Sequence, residues 1–258
     1  MRRTTTKYLL SAGLITLGSL ALVPSCVTND SSIFIVGVID IDAATCLAKA
    51  DTTEAMRPSG TLDTHFSQGY TAALLIGNQL TQQGSREQLR TETSRVSLRG
   101  AEVTLTTLDG KSVRNGHYST VATGFVDAAA GDAPSYASVA VNIIPPGLTG
   151  LPAVVLAKIR VFGNTLGGTS VTSSEIDFPI TVCVGCLVRY ASTDADMTLP
   201  TGSAYMCSTS ASSTTTSTET PPCVRGQDLP FSCTLCSGSD DLCRDPSLNP
   251  SFTPAATP

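Results

Sequence analysis

The chain has 258 residues, a formal net charge of −5, 41% hydrophobic and only 14% charged residues, and no tryptophan. Its length allows one large all-β domain with an appendage, or two small domains, and its Ser/Thr-rich composition suits an exported strand protein better than a cytosolic helical enzyme. Loss of Arg2, Arg3 and Lys7 with a leader would take the charge to −8 and leave no Lys/Arg cluster, which argues against a phosphate-tracking surface and so against nucleic acid as a partner.

The leader fixes the expected compartment. Arg2, Arg3 and Lys7 form a basic n-region before a mostly apolar run of 16 residues, Tyr8 to Val23. A spanning helix needs about 20 such residues, so residues 1–25 read as a secretory signal peptide. The run ends at Val23-Pro24-Ser25-Cys26, which resembles the lipobox of bacterial lipoproteins; Pro24 departs from that pattern at its middle position. The resemblance implies that Cys26 becomes the first residue and carries a covalent diacylglycerol and an N-acyl chain, with no other cofactor. Several acyl chains anchor stably where one is marginal. Val27 stands where an inner-membrane retention signal would show Asp, and by the same analogy this favours the outer membrane. Residues 26–32 form the lipidated tether.

Past the tether, SIFIVGVIDI (32–41) is dense in β-branched residues and reads as a buried strand. CLAKADTTEAMRPSG (46–60) has no clean period and reads as a loop. YTAALLIGNQL (70–80) is a second apolar strand. In RVSLRGAEVTLTTL (95–108) the alternation slips phase at Gly100-Ala101, the mark of a β-bulge. Asp109-Gly110 signals a hairpin turn and Asn115-Gly116 a further turn. Strands follow at 118–127 and 136–144, closed by Pro145-Pro146.

The stretch VVLAKIRVF (154–162) alternates apolar residues with Lys158 and Arg160, and SEIDFPITVC (174–183) alternates them with Glu175 and Asp177. A two-residue turn at Gly167-Gly168 would set Lys158 opposite Asp177 and Arg160 opposite Glu175 on the exposed face, with Ile159 opposite Ile176 inside. Pro179 removes a ladder donor and marks the last strand as an edge at that point. Short strands with a turn signal every dozen or so residues predict an all-β, immunoglobulin/fibronectin-like β-sandwich over 33–188, a jelly roll being the alternative. A Ser/Thr-rich linker (189–222), a Cys-rich segment (223–245) and a disordered tail (246–258) complete the expected organisation.

Nine cysteines are present: Cys26, Cys46, Cys183, Cys186, Cys207, Cys223, Cys233, Cys236 and Cys243. With Cys26 acylated, the remaining eight read as four disulfides in an oxidising compartment. Five lie after residue 190 and three before, so an odd number of bridges must join the tail to the sandwich. Cys183, facing outward at the end of its strand, is the expected donor. The motifs CVGC (183–186) and CTLC (233–236) also permit a four-thiolate zinc site or a redox pair, but their separation is far longer than that of zinc ribbons, and CVGC ends a predicted strand and does not open a helix.

Catalytic signals are sparse. His65 stands in LDTHF near Asp63 and His117 in NGHY, with no Gly-x-Ser-x-Gly, no HExxH and no P-loop. Asp40-Ile41-Asp42 and Asp194-Ala195-Asp196 lack the rest of an EF-hand loop. GTLDTHFSQGYTAALLIGNQL, LRGAEVTL, TLGGTSVTSSEIDFPITVCVGCLV and PPCVRGQDLPFSCTLC together resemble a group of myxobacterial cell-surface lipoproteins. That resemblance implies an envelope address and no particular activity. The sequence therefore predicts a non-catalytic lipid-anchored protein with a structural, adhesive or ligand-binding role, partnered by the membrane and by other envelope or surface proteins. A hydrolase working through the sandwich loops and a zinc-binding lipoprotein are the alternatives.

Overall fold

The computed structural model of the chain describes residues 32–84, 91–190, 220–236, 240–244 and 248–251. The leader, Cys26, Cys207, residues 194–196 and most of the linker lie outside them. The described chain is an all-β sandwich. One sheet carries β1 (Ile33–Ile39), β2 (Met56–Arg57), β4 (Tyr70–Asn78) and β7 (Ser135–Ile144), in the order β2-β1-β4-β7. The other carries β3 (Gly60–Asp63), β5 (Val96–Thr106), β6 (Ser112–Val126), β8 (Val154–Thr165) and β10 (Ile176–Cys183), in the order β3-β10-β8-β5-β6. The short β9 (Ser170–Thr172) is hydrogen-bonded to β8. Beyond the sandwich, β11 (Val188–Arg189) pairs with β12 (Phe231–Ser232), and a short helix α1 (Asp241–Arg244) follows.

Counting only the long strands, the first, second and fifth share one sheet and the third, fourth, sixth and seventh the other. This is the immunoglobulin/fibronectin arrangement. Strand β3 extends it by joining β10 in parallel.

The inner faces supply the core. In β8, Val155, Ala157, Ile159 and Val161 are fully buried and alternate with more exposed neighbours. Each larger aliphatic side chain contributes roughly 1.5–3 kcal/mol by leaving water. Strand β4 is buried along almost its whole length because both its faces are covered. Leu74 and Ile76 enter the main core, while Ala73 and Leu75 pack with Ile39, Ile41, Ala48 and Tyr136 on the outside.

The β8–β10 register is as the charges dictate, with Lys158 opposite Asp177 and Ile159 opposite Ile176. Its route differs from expectation. The turn has three residues, because Thr165 N–H donates to the Thr169 carbonyl around Leu166-Gly167-Gly168. Gly168 has φ +89°, a conformation open to glycine at no steric cost. The resulting one-residue offset runs through β9, where Phe162 faces Thr172. It is absorbed at Ser173-Ser174, where the Ser173 hydroxyl accepts from Val161 N–H at 3.0 Å. Glu175 therefore falls outside the ladder, and Lys158 reaches both Glu175 and Asp177 at 3.3 Å, leaving Arg160 without the expected carboxylate.

The bulge near Gly100 is present, as a register shift between Leu98 and Gly100. Asn115-Gly116 does not turn the chain; Asn115, at φ 56°, sits within the long strand β6. The parallel pairing with β3 begins only at Ile180, so β10 is an edge at Pro179 and interior beyond it.

Adjacent long strands run in opposite directions, so the molecule has two poles. At the pole where the chain enters β1, buried Asn78 donates to the carbonyls of Ser94 (3.0 Å) and Asp127 (2.9 Å) and accepts from Leu80 N–H (3.0 Å). One amide thereby ties the end of β4 to the start of β5 and the end of β6.

Candidate functional site

Most of the side chains with chemical potential gather at the opposite pole. Strand β3 delivers Asp63 beside Cys183, its register partner on β10. Asp63 is fully buried. One carboxylate oxygen accepts from the N–H of Gly185 (2.7 Å) and of His65 (3.1 Å), and the other from Leu187 N–H (3.1 Å). Charge-assisted bonds of this kind are roughly twice as strong as neutral ones. They fix the CVGC loop and the start of β11 on the end of β3. The loop's own cysteines are joined as Cys183–Cys186.

The same loop is held from above by the chain's last described residues. Asn249, itself buried, donates to the Gly185 carbonyl at 2.7 Å and to the Tyr190 hydroxyl at 3.1 Å. Gly185 has φ +73°, and any Cβ there would meet the Asn249 side chain. Residues 248–251, within the segment expected as a disordered tail, meet the CVGC loop through Asn249 and through the Ser251 hydroxyl, which donates to the Val184 carbonyl at 2.6 Å.

The Cys-rich segment is a cap on the sandwich. Cys46–Cys223 joins the two covalently. Residues 226–228 lie along the free edge of β3. Leu62 bridges Gln227 in antiparallel fashion, Asp63 N–H donates to the Gly226 carbonyl and Asp228 N–H to the Thr61 carbonyl, each at 2.9 Å. The Gln227 side chain then crosses to the other sheet, accepting from Thr71 N–H (3.0 Å) and donating to the Thr71 carbonyl (2.6 Å). One residue so replaces a missing strand on both sheets.

Asp228 accepts from Thr61 N–H (2.8 Å) and from the Tyr70 hydroxyl (3.0 and 2.9 Å to its two oxygens), with Arg57 at 3.7 Å. Burial, and then the Asp228 carboxylate beside it, push the Tyr70 phenol far above its ordinary value, so it stays a donor. Under the cap, buried Phe231 packs edge-on against Phe66, with ring centroids 5.1 Å apart. His65 Nε2 meets Asp240 at 2.6 Å.

The sequence-derived cysteine set resolves as follows. Cys46 pairs with Cys223, Cys183 with Cys186 and Cys236 with Cys243, and Cys233 is disulfide-bonded as well. The tie between sandwich and tail is made by Cys46, and Cys183 closes locally: the CVGC turn leaves its two sulfurs adjacent. Cys46, at φ 56°, emerges from a turn in which Asp42 accepts from Ala44 and Thr45 N–H and points toward the cap. With these sulfurs in bridges, the CVGC and CTLC cysteines offer no thiolates for a shared zinc. Ligand atoms of Asp63, Cys183 and Cys186 do lie within 4.8 Å of one another, but a metal there would first require reduction of the Cys183–Cys186 bond.

The two histidines are apart in role as well as in place. His65 is engaged by Asp240, and His117 Nδ1 meets the Thr104 hydroxyl at 2.9 Å on the exposed face of β5 and β6. Asp40 pairs with Arg57 while Asp42 caps its own turn, so the Asp40–Asp42 run does not converge on a point.

Beside the CVGC loop runs an open groove of about 630 Å³ between the β3–β4 and β7–β8 connections. Leu62, Leu148, Leu151, Val182 and Val184 give it an apolar floor, and Thr64, Gln68 and Thr149 stand among its polar groups. No family model matches this chain, and neither the curated proteins nor the solved structures hold a match.

Proposed function

We propose that this chain is a lipid-anchored protein of the bacterial outer membrane that presents a disulfide-stapled pole for binding or adhesion, without catalytic chemistry. The observation that carries this reading is the placing of the lipobox-like Cys26 only seven positions before Ile33, the first residue of β1. An acylated Cys26 would hold the Asn78 pole near the bilayer and turn the capped pole, with its groove, outward. The oxidised state of the described cysteines agrees with export. The partners are the membrane, through the diacylglycerol and N-acyl chain, and an envelope or surface protein at the capped pole.

The test is a Cys26→Ala variant expressed from its own leader. Wild-type protein should partition with outer membranes and carry the added mass of the acyl groups, while the variant should be soluble or retain its leader. Wild-type protein found soluble and unacylated in the periplasm or medium would sink the proposal.

A further inference from the structure

Strand β6 is a sheet edge of 15 residues, and among the described residues its backbone pairs with β5 alone. The other edges are shielded. Strand β2 has two residues and carries Arg57, the free side of β3 is taken by residues 226–228, and the Ile143 carbonyl of β7 accepts from the Tyr118 hydroxyl of β6. Native sheet edges are commonly blunted by lysine, proline or an inward-pointing charge. From Asn115 to Val126, β6 has no Asp, Glu, Lys, Arg or Pro. His117, Ser119, Val121, Thr123 and Phe125 stand exposed on its outer face. They alternate with more buried residues from Gly116 to Val126, past the register shift at Gly100. Val121 is 74% exposed, more than any other large apolar side chain among the described residues, and Phe125 is 53% exposed.

From these facts we propose that the β6 edge pairs with the same edge of a second copy of this chain, antiparallel about a two-fold axis at Val121. Val121 is the midpoint of the regular run Gly116–Val126, so this register uses all of it. A two-fold contact sets one patch against itself. Val121 then meets Val121 of the second copy, Ser119 meets Thr123, and His117 meets Phe125. These are the β-branched, hydroxyl and aromatic pairs that stabilise antiparallel strands. On the inner side Tyr118 meets Gly124, which has no side chain to displace the ring from Ile143. An aromatic residue beside an edge glycine is itself a favourable pair. The same strand thus supplies both halves of every pair, which selects a second copy as the partner. Two chains of net charge −5 repel over most of their surfaces, and this strand lets them meet with no like charges opposed. The axis reverses the strand direction, so the two Asn78 poles lie at opposite ends of the dimer. With the anchoring proposed above, copies so joined would stand on facing membranes; the pairing itself does not depend on Cys26.

Sedimentation of the full-length protein in mild detergent tests the pairing. A reversible dimer should appear as the concentration rises to about 100 μM. Val121→Lys sets like charges opposite each other at the axis and should weaken the dimer roughly tenfold or more, with the urea midpoint unchanged. Mixing Val121→Lys protein with Val121→Glu protein should restore it. A monomer throughout the series, or a dimer that survives Val121→Lys, would overturn the proposal. Cysteine cross-linking reads the register. Val121→Cys should link to itself, and Ser119→Cys should link to Thr123→Cys but not to itself. Ser119→Cys chains that self-link as readily as Val121→Cys chains would also refute it. Vesicles bearing the acylated protein should cluster, and those bearing Val121→Lys should not. Dimers in detergent whose vesicles stay dispersed would defeat the facing-membrane arrangement. Lack of the acyl mass would count against the anchoring and not against the pairing, which sedimentation and cross-linking decide.

Discussion

The two poles are sealed by different means. At the Asn78 pole the closing contacts join residues 16 to 49 positions apart, through one amide and backbone carbonyls. At the capped pole they join residues 59 to 177 positions apart, through a disulfide, two carboxylates, an asparagine and a glutamine. The first pole follows from short connections within the sandwich. The second needs the finished sandwich and an oxidising environment before it can form.

The largest break in this contrast comes from Cys46→Ala/Cys223→Ala. For a sequence separation of 177, loop-closure entropy gives about 5 kcal/mol of lost stability. Urea unfolding measures it, and hydrogen exchange should rise at residues 226–232 while residues 94–98 stay protected. Equal loosening of both poles would show that the cap and sandwich are one cooperative unit. Removing the local bridge by Cys183→Ala/Cys186→Ala, with a separation of 3, should cost only about 2 kcal/mol.

Single polar residues come next. Asp63→Ala strips acceptors from three N–H groups and should cost about 3 kcal/mol, with loosening confined to the CVGC loop and β11. Asn78→Ala should cost a similar amount, about 3 kcal/mol, but loosen the other pole. Exchange maps that fail to separate these two variants would dissolve the distinction between the poles.

Alkaline pH should act at the cap. Tyr70 has a folded pKa raised above the ordinary phenol value of 10 by burial and Asp228, and Tyr118 is likewise raised by burial. The protonated phenols contribute stability that is fully present below pH 10 and is lost as pH rises beyond it, because only the unfolded chain ionises there. Tyr70→Phe should flatten this decline. An unchanged slope would remove Tyr70 from the account. The smallest effect is expected at Lys158, between two exposed carboxylates, where Lys158→Met should leave the midpoint of a urea melt almost unchanged.

The same contrast explains what was legible in the sequence. The β8–β10 register could be read because alternation and opposite charges act between neighbouring strands of one hairpin. The partner of Arg160 was misplaced because a three-residue turn and a compensating bulge at Ser173-Ser174 leave the later register unchanged. Strand β3 went unread since GTLD has too few residues to show a period. Asp63, Gln227, Asp228 and Asn249 carry no local pattern at all. Each acts through one side chain on a segment more than 60 positions away. The parity of the cysteines did indicate a bridge from sandwich to tail, but not that Cys46 would make it.

Cys46–Cys223 also sets how the molecule would carry tension. Residues 47–222 lie inside a closed covalent loop. A pull between the N-terminal end and the cap is transmitted through β1, the segment to Cys46, and across the bridge to Cys223. Strands β2 to β11 lie off that line of force. Under such a pull residues 47–222 cannot be drawn out until the disulfide itself is reduced, so β1 alone among the long strands bears the load and the rest of the sandwich is a side-mounted body.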